Sequence, residues 1–231
     1  MQIPDAVQAL DDDLRSIFGD RLRSLVAYAG IGGDDRTSTL AVVDGLSADD
    51  LRACVGRVAA WDDAGLGTPL FVAAHEFERS LDAFPFEFGA ILADHAVVSG
   101  ADPFVGLHVE PSHLRQACEV QARSHLLHLR EGFLETRGRG DALAELLLRS
   151  APPLVALLQS VVRMEDRTAT TADAAAAIVE QKVGVAPGSL AQITRLVARK
   201  DVPSDDARRL FPPYLDAVQR LTAYVDKWRA A

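Results

Sequence analysis

The sequence predicts an α+β chain in two parts: a small mixed sheet with flanking helices over residues 1–107, and an all-α helical bundle over residues 108–231. Three observations predict it. Short apolar runs rich in β-branched residues, bounded by turn formers, are confined to the first hundred or so residues. From Pro111 onward, apolar residues recur at helical spacing almost to the end. Between the two, Asp102 to Pro111 holds Gly106 and two prolines, which interrupt regular structure and mark a linker.

The elements follow in order. Residues 5–18 read as an amphipathic helix, with Ala6, Leu10, Leu14, Ile17 and Phe18 on one face and Asp11 to Asp13 on a solvated one. Gly19 ends it. Leu22 to Tyr28 is a first strand, followed by the glycine-rich turn Gly30-Ile31-Gly32-Gly33-Asp34-Asp35. That turn is not a dinucleotide fingerprint, because no GxGxxG leads into a helix. Ser38 to Val43 is a second strand, closed by Asp44-Gly45. Ser47 is placed to cap a helix running to Trp61. Pro69 to Ala73 is a third strand, and a short helix covers 75–82. Phe84 to Ile91 reads as extended, since Phe86 and Phe88 flank Glu87 in alternation. His95 to Ser99 is a last strand, stopped by Gly100.

In the second half, helices are predicted over 112–135, 140–164, 171–183, 188–199 and 205–230. Pro152-Pro153 should kink or break the second, and Pro212-Pro213 should interrupt the last. The expected packing rows are Leu114/Cys118/Leu129/Phe133, Leu143/Leu147/Leu154/Leu158 and Leu215/Val218/Leu221/Val225.

Composition excludes several classes. With 48% hydrophobic and 25% charged residues the chain is an ordinary globular protein. Its net charge of −9 argues against general nucleic-acid binding, which needs clustered positive charge, although Arg137, Arg139 and Arg149 leave room for local patches. No unbroken apolar run approaches the roughly 20 residues of a membrane span. The first residues lack a signal-peptide pattern, so a cytoplasmic location is expected. Cys54 and Cys118 make no disulfide framework and read as small buried hydrophobes.

The order helix, strand, glycine turn, strand, helix, strand is carried by two segments. These are Phe18-Gly19-Asp20-Arg21-Leu22-Arg23-Ser24-Leu25-Val26-Ala27-Tyr28-Ala29-Gly30 and Thr37-Ser38-Thr39-Leu40-Ala41-Val42-Val43. Together they resemble the nucleotidyltransferase fold of the DNA polymerase β superfamily. The helical second half resembles the bundle of kanamycin nucleotidyltransferase-like proteins. Phe84 to Phe88 and Val97 to Pro103 resemble later strands of such proteins, and Leu126 to Leu134 their first bundle helix.

The resemblance implies a site. Active members carry a Gly-Ser turn after the first strand and an Asp-x-Asp on the second. The two acids share one strand face and, with a third acid, hold two Mg²⁺ ions. In this chain Thr37 and Thr39 fall at the acidic positions and Ala29-Gly30 at the Gly-Ser turn, and the segment between them is short. Glu87 stands where the third acid could lie, or is simply an outward polar residue. Asp34, Asp35 and Asp44 offer nearby carboxylates, or serve as turn residues. Ala29, Gly30, Thr37 and Thr39 are therefore the expected ligand-binding positions of a site that has lost its catalytic carboxylates. Aspartates restored at 37 and 39 are expected to bind a divalent ion.

The first functional expectation is a catalytically degenerate, binding or regulatory protein with a nucleotide or small-molecule ligand, no resident cofactor, and room for a homo-oligomer. The rivals are an active Mg²⁺-dependent transferase acting on a small hydroxylated acceptor, and a purely structural partner subunit. A third is a HEPN-type ribonuclease or toxin–antitoxin partner. This last rests on Arg123 and His128, whose Arg-x4-His spacing resembles the HEPN motif.

Overall fold

The computed structural model describes residues 4–30 and 36–229. The turn residues Ile31 to Asp35 lie outside them, and with them the candidate carboxylates Asp34 and Asp35. The described chain divides into two compact units, residues 4–30 with 36–109, and residues 110–229. The segment expected to be a linker thus belongs largely to the first unit. Phe104 in that segment is buried, its ring 4.7 Å from that of His95, and Asp102 accepts from the Phe104 N–H at 2.9 Å.

The first unit begins with helix α1 (Asp5–Phe18), whose apolar stripe is buried. Strands β1 (Leu22–Ala29) and β2 (Thr37–Val43) form an antiparallel pair. Ser47 caps α2 (Ala48–Val55) in a reciprocal box with Asp50, as its sequence position suggests. The single helix expected from Ser47 to Trp61 is two: the chain turns at Gly56 and resumes as α3 (Val58–Asp63). β3 (Leu70–Ala73) pairs parallel to β2, and β4 (His95–Gly100) antiparallel to β1. The sheet order is β3-β2-β1-β4. Gly100 is required where β4 ends: its φ is +79°, and a Cβ there would lie 2.0 Å from the Arg23 carbonyl oxygen.

One expectation is overturned between β3 and β4. The stretch from Phe84 is not extended. After α4 (Phe77–Ala83) comes a second helix, α5 (Pro85–Ala93). Proline at the first helical turn costs no backbone bond, and Pro85, Phe86, Phe88, Gly89 and Ile91 are all buried. A helix apolar nearly all round shows no stripe, and three alternating residues imitate a strand.

The second unit is helical: α6 (Pro111–Glu135), α7 (Gly140–Met164), α8 (Ala172–Val183), α9 (Ala191–Thr194) and α10 (Ser204–Lys227). Where one helix was expected over 188–199, α9 passes into a 3₁₀ turn, Arg195–Ala198. Pro152-Pro153 was expected to kink or break its helix and Pro212-Pro213 to interrupt the last; α7 runs through the first pair without a break, and α10 through the second. In α7 the buried residues on both sides of the pair hold the register. α7 is also long and apolar enough to cross a membrane, but 67% of its apolar window is buried inside the protein, as in the core helix of a bundle. Phe133 is more exposed than expected and stacks on Phe211 at 4.4 Å. The α10 row is wider than expected, because Phe211, Tyr214 and Ala217 join it.

Candidate functional site

The mouth of the β1–β2 hairpin is where the resemblance puts a site. Ala29 stands opposite Thr37, Tyr28 opposite Ser38, and Ala27 opposite Thr39. Thr37 is half-buried, and its backbone is engaged by the neighbouring loop: its N–H donates to Gly65 at 3.3 Å and its carbonyl accepts from Gly67 at 3.0 Å. Ala29 is exposed and Gly30 half-buried.

Side chains alternate along β2, so Thr37 and Thr39 share a face with Ala41 and Val43. That face is the core. Leu25, Ala27, Ala41 and Val43 cluster with Val7, Leu10, Leu14 and Phe18 of α1, Cys54 of α2 and Trp61 of α3. Thr39 is 0% exposed, and its hydroxyl is buried without a hydrogen-bond partner. Thr39 was expected among the ligand-binding positions, but its side chain is enclosed and not at the surface. The opposite face carries Tyr28, Ser38, Leu40 and Val42. There Ser38 hydrogen-bonds the Tyr28 hydroxyl, whose proton burial holds more tightly than usual. Neither face of β2 bears a carboxylate.

Among the described residues, the other candidate acids do not complete a metal set. Glu87 sits on α5, so the extended stretch on which the resemblance would place a third acid is a helix here. Asp44 is ion-paired with Arg23. Among the described residues no three His, Cys, Asp or Glu side chains cluster as metal ligands do. The residues here do not fit a two-Mg²⁺ centre.

The Asp11–Asp13 run was expected to face solvent, and two of its members do not. Asp11 is 3% exposed, accepting from Ser99 at 2.5 Å and from Arg15 at 2.8 Å. Asp13 accepts from the Trp61 indole at 3.0 Å and pairs with Arg57. These acids fasten α1 to β4 and α3.

In the helical unit, Arg123 and His128 do not form a pair. Five residues on a helix turn through about 140° net. Arg123 is ion-paired with Glu119 and with Asp226 of α10. His128 faces elsewhere, its ring nitrogen 3.3 Å from the Ser124 hydroxyl. His125 is buried, and its Nε2 lies 2.6 Å from the hydroxyl of the fully buried Tyr214. Burial, with His128 adding a smaller repulsion, lowers the His125 pKa from 6.5 to about 4.

A stability effect follows. The unfolded chain protonates this imidazole first as pH falls, so the contribution is complete above about pH 6.5 and lost as pH falls toward 4. A displacement of this size corresponds to a few kcal/mol, on the order of 3. Denaturant unfolding at pH 7 and pH 4 should show this loss in the unmodified protein and a smaller one in His125→Gln.

No protein-family model matches the chain, and no curated protein matches its sequence. Its fold is similar to that of a spectinomycin adenyltransferase from Enterococcus faecialis, solved with ATP and spectinomycin. The TM-score is 0.61 over 96% of this chain and 99% of that one, at 10% identity. The chain thus has an α+β nucleotidyltransferase-like fold: a mixed four-stranded sheet followed by helices.

Proposed function

We propose that this is a nucleotidyltransferase-fold protein without nucleotidyl-transfer activity, a cytoplasmic binding or regulatory protein whose ligand is a nucleotide or a small molecule. The observation that carries the reading is the second strand. Thr37-Ser38-Thr39-Leu40-Ala41-Val42-Val43 presents hydroxyls and hydrocarbon on both faces and no anionic oxygen on either. Two divalent ions bring four positive charges, and neutral hydroxyls do not offset them. The similar enzyme was solved with ATP and spectinomycin, which supports a nucleotide as the first ligand to test here.

Two measurements test the reading. Incubation with labelled ATP or GTP, Mg²⁺ and a panel of small alcohols should yield no nucleotidylated product. Thermal unfolding with the same nucleotides should show stabilisation that does not depend on Mg²⁺, because a ligand that binds only the folded state stabilises it by mass action. Product formation by the unmodified protein sinks the proposal in favour of an active transferase. No stabilisation by any nucleotide removes the nucleotide from it.

A further inference from the structure

The helical unit contains a cavity of about 350 Å³, between α6 and α7, that the nucleotidyltransferase reading does not use. Its volume is in the range of small-molecule sites. Its polar lining comes from Gln121, Ser124 and His128 on α6 and from Arg149 on α7. Leu129, Leu146 and Pro153 supply an apolar wall. Behind these stand His125 and Ser150, which also reach the cavity.

Charge decides what fits. The chain has 33 acidic and 24 basic residues, yet among the described residues no Asp or Glu lines this cavity. Its one permanent charge is the Arg149 guanidinium, which has no ion-pair or hydrogen-bond partner among the described residues. Several other arginines of the helical unit are ion-paired: Arg115 with Glu119, Arg123 with Asp226, Arg195 with Asp173, Arg209 with Asp206 and Arg220 with Asp216. An arginine left free beside a cavity offers a planar fork of donors suited to a carboxylate. The Ser124 hydroxyl and the Gln121 amide add neutral donors beside it.

We propose that this cavity binds a small organic monocarboxylate, its oxygens on Arg149 and its apolar body against Leu129, Leu146 and Pro153. One guanidinium neutralises one negative charge, so a monoanion suits the site better than a phosphate dianion. The proposal stands apart from the nucleotide reading, since it uses no residue of the sheet unit.

Calorimetric titration with four probes of one shape tests it: benzoate, phenyl phosphate, benzamide and benzylammonium. Benzoate should bind, and benzamide and benzylammonium should not. Arg149→Met, a change at an exposed helix position, should weaken benzoate at least tenfold without changing the unliganded melting temperature. Arg130→Met, which removes an equal charge from an exposed position of α6 outside the cavity lining, should leave benzoate binding unchanged. Absence of benzoate binding overturns the proposal. So does equal binding of benzamide, tighter binding of phenyl phosphate, or benzoate affinity unaltered in Arg149→Met.

Discussion

Replacing Thr39 by aspartate should destabilise the sheet unit by about 3–5 kcal/mol at neutral pH, because an ionised carboxylate would be buried without a cation. The same change would restore a ligand if position 39 were part of a metal site. The two views differ because of where the strand faces. Thr39 lies on the side of Leu25, Ala27 and Ala41, closed over by α1, α2 and α3, and is fully buried. The introduced acid would have a raised pKa, so its penalty should hold above that pKa and fade as pH falls and the carboxyl group is protonated. Thr39→Val should be close to neutral or stabilising, since the native hydroxyl has no partner to lose. Denaturant unfolding of the three proteins at pH 7 and pH 4, with and without Mg²⁺, separates the outcomes. An aspartate variant of unchanged stability that binds Mg²⁺ would return position 39 to an open site.

Glu180→Ala should cost the helical unit a similar amount, about 3–5 kcal/mol. Glu180 is 4% exposed. Its carboxylate accepts from the backbone N–H groups of Gly188, Leu190 and Ala191 at 2.9, 2.7 and 2.9 Å. The turn leading into α9 is organised around this one side chain of α8. Truncation leaves three donors without an acceptor in a place water does not reach freely. Glu180→Gln keeps one acceptor oxygen and should lose roughly half as much. Urea unfolding gives both numbers. A truncation costing under about 1 kcal/mol would mean that water replaces the carboxylate at this turn.

The sheet and the long helices were legible because their signals are local. The β-branched run at 38–43, the apolar run at 70–73, the Ser47 cap and the apolar rows of α6 and α10 each state their structure within a few residues. What was not legible depends on burial. α5 hides its period because it is apolar nearly all round. The proline pairs look like breaks until α7 is seen packed on both sides of one. Asp11 and Asp13 look like solvated charge until Ser99 and Trp61 arrive from far along the chain. At the candidate site, the sequence alone could say that acids were missing from the second strand, and this holds whichever face is considered. It could not say which face packs against α1, α2 and α3, because Ser38, Leu40 and Val42 are as compatible with that core as Thr39, Ala41 and Val43. The cavity between α6 and α7 was invisible for a related reason: Arg149 and His128 lie far apart in sequence, and nothing local marks an arginine as unpaired.

The uninterrupted passage of α7 through Pro152-Pro153 affects how that helix breathes. Proline has no amide proton, so the carbonyls of Leu148 and Arg149, one turn earlier, receive no helical hydrogen bond. Those two oxygens sit beside the most buried stretch of the bundle, at the height where Arg149, Ser150 and Pro153 border the cavity. The hydrogen-bond ladder of the helix thus has a gap of two bonds at the level of the prolines. Amide exchange along α7 should therefore be fastest, relative to its burial, beside Arg149, Ser150 and Pro153, which border the cavity.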